Sequence, residues 1–190
     1  MAERRRLPWL RFAAVAAFVA LDLWSKQAVF AWLPGPPPPE LVRDVHGHLR
    51  LPILGDWLAL MTSENPGAAF GRFGAWPRTL VLGRVGAVLF LLVALWRARR
   101  SHPLLLTGIV LVLAGAIGNL YDNLFRAAPP GRPFGLVRDF IDVYFRAWDW
   151  HFPTFNVADS CITVGAVAFL LHGFFAREGE QAAERVEEAA

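Results

Sequence analysis

Long apolar runs, each broken by only a few charges, dominate the chain. A helix crossing a bilayer core about 30 Å thick needs roughly 20 mostly apolar residues, each adding about 1.5 Å. Four stretches meet that condition: 8–33, 77–96, 103–124 and 155–175. The third is the cleanest, with no charge between Pro103 and Tyr121. The second carries Arg84 near one end, where its long stem is expected to snorkel to the interface. The fourth is interrupted by Asp159 and His172, and the first holds Asp22 and Lys26. Arg4-Arg5-Arg6 before the apolar run from Phe12 to Leu21 also fits a cleavable signal peptide. The helical pattern continues through Trp24 and Val29, however, and three more spans follow, so an uncleaved anchor is expected.

Short-loop Lys and Arg set orientation. Arg4, Arg5, Arg6 and Arg11 precede the first span, and Arg97, Arg99 and Arg100 join the second to the third. Both segments are expected to be cytoplasmic, and an even number of spans returns the C-terminus to the same side. Trp9 and Trp96 then fall at the inner interface, and Trp32, Trp76, Trp148 and Trp150 at the outer one. The long connections 34–76 and 125–154 lie outside. The first opens on Pro34-Gly35-Pro36-Pro37-Pro38-Pro39, a stiff extended segment. It goes on to mix apolar residues with turn signals over 49–60, which reads as short strands at the surface. Beyond 175 the Glu/Ala-rich tail, 176–190, reads as a solvated end, partly disordered or helical. The expected fold class is a mainly α membrane protein forming a single domain over 1–190. Four transmembrane helices run N-in/C-in, with loops packed on the outer membrane face.

Composition agrees. The 190 residues are 55% hydrophobic and 18% charged, where a soluble domain carries about a quarter charged residues. One cysteine excludes a disulfide framework, and no Cys/His spacing resembles a zinc site. The net charge of +3 is modest and the basic residues are not interleaved with aromatics, so nucleic acid is not an expected partner.

Ionisable side chains inside spans are costly, so each asks for a partner or a task. Asp22 and Lys26, four apart on one helix face, suit a neutralised structural pair as well as a chemical role. Asn119 and Asp122 stand at the outer end of the third span, beside Gly115, Ala116 and Gly118, which let another helix approach closely. They are readable as a cap and an interhelical hydrogen bond, or as part of a site. Asn156 and Asp159 repeat the same spacing at the start of the fourth span, where an Asn N-cap and a first-turn Asp are ordinary. Asp139 and Asp142 precede them, however, and capping does not need so many acids on one membrane face.

Two close carboxylates cannot both ionise easily, so one keeps its proton. The ionised member then takes a proton from water while the protonated one polarises a peptide carbonyl. That chemistry needs no metal and no cofactor. Gly-x-Ser-x-Gly is absent. Cys161 has no nearby His in sequence and reads as a small core residue, and the five histidines are scattered without a ligand pattern. A proton-coupled transporter, with acids relaying ions, and a non-catalytic scaffold are the competing classes.

The strings Asp22-Leu23-Trp24-Ser25-Lys26, Glu64-Asn65-Pro66-Gly67-Ala68-Ala69-Phe70-Gly71 and Gly118-Asn119-Leu120-Tyr121-Asp122 occur in this order. Val137-Arg138-Asp139-Phe140-Ile141-Asp142 and Phe155-Asn156-Val157-Ala158-Asp159-Ser160 follow them. Together they resemble the bacterial lipoprotein signal peptidase (signal peptidase II) family over nearly the whole chain. The resemblance implies an aspartyl endopeptidase of the bacterial inner membrane, its site on the extracytoplasmic face. Such enzymes remove signal peptides from prolipoproteins, cutting before a diacylglyceryl-modified cysteine. It puts the catalytic pair on Asp139 and Asp159, and not on Asp142. Asp22, Lys26, Asn65, Gly67, Asn119, Asp122 and Asn156 match the positions that shape the site or hold substrate. It also implies a small β-rich cradle around Asn65, lipid and prolipoprotein as partners, and a monomer. The chain departs from the family where Asn123 stands in place of the usual Arg, and in a longer stretch 127–133. Arg126, one turn on, is the candidate for the missing charge.

Overall fold

A computed structural model describes residues 9–33, 42–43, 49–65, 77–98, 102–127 and 134–188. Four helices are long and apolar enough to cross a membrane: α1 (Trp9–Trp32), α2 (Pro77–Arg97), α3 (Pro103–Phe125) and α4 (Val157–Glu188). A small antiparallel sheet accompanies them, formed by β1 (Val42–Arg43), β2 (Leu49–Leu54), β3 (Leu58–Asn65), β4 (Val137–Phe145) and β5 (Trp150–His151) in that spatial order.

The helices start and stop where local chemistry directs. α2 and α3 each begin on a proline, whose missing N–H is one of the unpaired donors of a first turn. α4 opens with a reciprocal cap: the Asp159 N–H donates to Asn156 Oδ1 (2.9 Å), and the Asn156 N–H donates to Asp159 Oδ2 (3.2 Å). α4 continues past the apolar stretch as helix through Glu188. Arg11 of α1 donates to the carbonyls of Leu95 (3.3 Å) and Ala98 (2.7 Å), satisfying the end of α2. The Phe12 and Trp96 rings, 6.3 Å apart, sit at the same level.

α3 packs most extensively on α4, with α1 and α2 also against α3. The α3–α4 seam depends on absent side chains. A Cβ on Gly115 would meet the backbone oxygen of Ala158 and Cγ1 of Ile162, both under 3.0 Å. The bundle's outside is apolar, with Phe90 72% and Leu170 75% exposed, as a lipid-facing surface requires.

The interior divides into two halves. At one end Val15, Val88, Leu91, Leu95, Ile109, Val110, Leu113 and Ala114 form an apolar cluster. At the other end the core is polar. Of the nine largest fully buried side chains among the described residues, seven are Lys26, Asn123, Asn156, Asp22, Asp122, Asp139 and Asp142. Natural cores bury so many charges only when each is paired, and the sheet lies at this end.

β2 and β3 form the hairpin expected from the mix of apolar and turn residues, its corner using Gly55 at φ +51°. β4 is a nine-residue strand that the outer-loop reading of 125–154 did not anticipate. Its first four residues are all buried. With both faces covered, the apolar/polar alternation that marks an exposed strand is lost. Val137, Ile141, Val143, Tyr144 and Phe145 were the available signal.

Candidate active site

Strand β4 and the first turn of α4 bring Asp139 and Asp159 together. Asp139 lies opposite Ser63 of β3, and Asn65, two residues on, hydrogen-bonds its carboxyl from the same strand face. Asn156 Nδ2 donates to Asp139 Oδ1 (2.6 Å) and also approaches the Arg138 carbonyl (3.1 Å) and Asn119 Oδ1 (3.2 Å). Asn119 Nδ2 donates to Asp159 Oδ1 (2.8 Å). Two amides thus hold the two acids: Asn156 touches both, and Asn119 fixes Asp159. Asp139 is buried and Asp159 half-buried. Burial first, and then the charge of Asp159, push the Asp139 carboxyl up to about 7. The hydrogen bonds from Asn65 and Asn156 and the charge of Lys26 oppose that rise. Asp139 therefore keeps its proton well above the ordinary carboxylate range.

Beneath the pair runs a buried chain of alternating charge. Lys26 Nζ lies 2.8 Å from Asp22 Oδ2, 3.6 Å from Asp122 Oδ2, and donates to Asn119 Oδ1 (2.9 Å). Asp22 turns its other oxygen to the Ala158 N–H (2.8 Å), satisfying a donor in the first turn of α4. A Cβ on Gly118 would strike this carboxylate, so glycine there lets α1 bring Asp22 against α3 and α4. Asp122 accepts from the Arg138 N–H (3.0 Å), from Nη2 (2.7 Å) and from Nε (3.2 Å). Arg138 Nη1 also donates to Gln27 Oε1 (3.2 Å). Asp22 and Lys26 do form the neutralising pair, and they also aim Asn119 and the start of α4. The capping reading of Asn156 and Asp159 and their place beside Asp139 are realised in one arrangement.

Asp142 is engaged elsewhere. Its carboxylate binds Arg50 of β2, through Nε at 2.6 Å and through Nη2, and meets His151 Nδ1 at 2.9 Å. Three residues from Asp139 on a strand, it has the opposite parity, and its partners tie β2, β4 and β5 together. His151 is thus not a scattered residue, and His102 and His172 also meet, ring centroids 5.2 Å apart. Gly67 and Trp76 lie outside the described residues.

Two expectations about arginine are corrected. Arg126 does not stand in for a cation at position 123. It pairs with Glu64 (2.6 Å) and lies over the Phe30 ring, 5.4 Å from its centroid. Arg84 does not snorkel away: Nη1 donates to Asn123 Oδ1. Its contact with Asn123 of α3 holds the guanidinium inward. Arg138, adjacent to Asp139, is the other residue sequence reasoning passed over, and nothing in its spacing from Asp122 reveals the pairing.

Comparison with known proteins identifies the family. Residues 14–175 match the family described as Signal peptidase (SPase) II. The chain belongs to the signal peptidase II family. Among curated relatives, the lipoprotein signal peptidase of Yersinia pseudotuberculosis serotype O:1b is 34% identical over 185 residues, covering 95% of each chain. That of Solibacter usitatus is 33% identical over 170 residues, covering 87% of this chain and 90% of its own. A solved bacterial membrane enzyme shares the fold, with TM-score 0.69 over 90% of each chain at 20% identity. A second has TM-score 0.62 at 21% identity, covering 85% of this chain and 90% of its own. Membership of the signal peptidase II family and four apolar helices make this a multi-pass membrane peptidase.

Proposed function

We propose that this signal peptidase II family member is an aspartyl endopeptidase of the bacterial inner membrane. It removes signal peptides from prolipoproteins by cutting before the diacylglyceryl-modified cysteine. The observation that carries the reading is the pairing of buried Asp139 with half-buried Asp159 through Asn156. Asp139, holding its proton to about pH 7, hydrogen-bonds the scissile carbonyl. Asp159 takes a proton from water, whose oxygen adds to the carbonyl carbon. Collapse of the tetrahedral species breaks the C–N bond as the cysteine nitrogen takes a proton from the dyad. A carboxylate on the signal peptide and a free amine on the cysteine result. Asn119 and Asn156 keep the acids oriented, and Lys26 supports Asn119.

A diacylated cysteine reaches such a site from the bilayer, which suits a dyad where the spans meet the sheet on the extracytoplasmic side. The lipid supplies binding, roughly 0.8 kcal/mol per buried methylene, which concentrates substrate without lowering the chemical barrier. Collection of the acids at one end of the bundle supports hydrolysis over the transporter and scaffold readings. The test is cleavage of a diacylglyceryl-modified prolipoprotein in lipid by wild type, Asp139→Asn and Asp159→Asn. Wild type is expected to cut before the lipidated cysteine and neither folded variant to do so. Turnover by either variant overturns the dyad, and an inactive, folded wild type overturns the activity.

A further inference from the structure

His102 and His172 meet at the end of the bundle opposite the acids, and the packing of α3 on α4 brings them there. Gly115 lies against the Ala158 backbone, and seven residues further along each helix Gly108 and Gly165 lie against each other's carbonyls. Seven residues are two turns with a small drift, so an antiparallel pair in this register repeats its facing positions. The next step along α4 is His172, and the matching end of α3 is its N-cap, His102. Their ring centroids are 5.2 Å apart, with the planes inclined by 60°. Among the described residues neither imidazole is engaged in a hydrogen bond or ion pair, and His102 makes no side-chain cap to α3. His102 is exposed and His172 half-buried.

We propose that His102 and His172 form a two-histidine site for a divalent transition-metal ion, with one imidazole from each helix. Imidazole nitrogen suits zinc, copper and nickel, whereas magnesium and calcium take oxygen ligands. Two imidazoles on one tetrahedral ion, with metal–nitrogen bonds of about 2.0 Å, place their ring centroids about 5 Å apart. The separation across the α3–α4 seam matches. An imidazole centroid lies nearly on its Cβ–Cγ axis. Rotation about that bond is soft, so it swings a nitrogen toward the ion while the centroids stay where the backbone sets them. Among the described residues no third His, Cys, Asp or Glu joins the pair, so water completes the coordination shell and the ion clamps α3 to α4. Asn119 stands about 25 Å along α3 from His102. The site is therefore separate from the dyad, and it stands or falls independently of the peptidase reading.

The experiment titrates zinc chloride into the full chain in micelles, purified without a histidine tag and stripped of metal, and follows binding by calorimetry. Thermal unfolding is measured on the same samples. Wild type is expected to bind zinc, and its unfolding midpoint to rise with zinc concentration, because the ion binds the folded pair. His102→Ala and His172→Ala are each expected to bind one equivalent fewer and to lose the zinc-dependent rise. The double variant His46→Ala/His48→Ala is expected to keep both. Should an alanine variant fail to fold, His102→Gln and His172→Gln, which keep a polar side chain of similar length, give the same readout. A wild type that binds no zinc overturns the proposal. So does retention of the equivalent by a variant at either position 102 or 172, or its loss in His46→Ala/His48→Ala.

Discussion

Replacing Asp139 with Asn is expected to abolish cleavage and, above neutral pH, to make the protein more stable. The folded state holds the Asp139 proton up to about 7, against 3.8 for the ordinary carboxyl. Between those values the folded chain binds a proton that the unfolded chain has released, so stability falls as pH rises, and the loss is complete above about 7. A shift of about three units corresponds to about 4 kcal/mol. Asn preserves shape, its Oδ1 can still accept from Asn156 Nδ2, and its amide stands where the carboxyl proton was, without a charge to bury. The variant should therefore match wild type near pH 4 and exceed it near pH 8 by up to about 4 kcal/mol. Unfolding in mixed micelles, followed by the fluorescence of the eight tryptophans, measures both proteins across that range. Groups remote from the site titrate alike in the two, so the difference reports Asp139 together with Asp159, the carboxyl coupled to it. A difference that is flat with pH, or an Asn variant less stable than wild type near pH 8, would refute the reasoning. The opposition of stability and function at one residue is what a site maintained for chemistry should show.

Other substitutions test separate parts of the arrangement. Lys26→Met leaves Asp22 buried without its ammonium and should destabilise by about 3–5 kcal/mol. Adding Asp22→Asn should cost less than the sum of the two single changes, as measured by a double-mutant cycle in the same unfolding assay. Gly115→Ala forces a Cβ against the Ala158 backbone, lifting the turn that carries Asp159. A loss of about 1–3 kcal/mol should accompany a fall in kcat, read from thermal unfolding and the cleavage assay. Arg126→Ala breaks a partly exposed pair with Glu64 and should cost under about 1 kcal/mol.

Much of this molecule follows from sequence because the bilayer is a strict solvent. Where no water can satisfy the backbone, an apolar run of sufficient length has to be a helix, and all four spans are legible within a few residues. The same strictness singles out Asp22, Lys26, Asn119, Asp122 and Asp159, since polar groups in apolar runs must be partnered. The motif strings then indicate which acids belong together. Sequence does not indicate the partners. Asp22 serves Lys26, four residues away, and also the Ala158 N–H at the far end of the chain. Asp122 takes Arg138, and Asp142 takes Arg50 and His151. These pairings cross the fold, and local spacing carries no information about which distant residue will fill a carboxylate's remaining lone pairs. Strand β4 was hidden for a related reason: buried on both faces, it lacks the alternation by which half-exposed strands are recognised. Arg84 shows the limit most plainly. Its position in a span leaves snorkelling and inward pairing equally open, because the long side chain reaches either way. Only the packing of α2 on α3, which sets Asn123 beside it, decided between them.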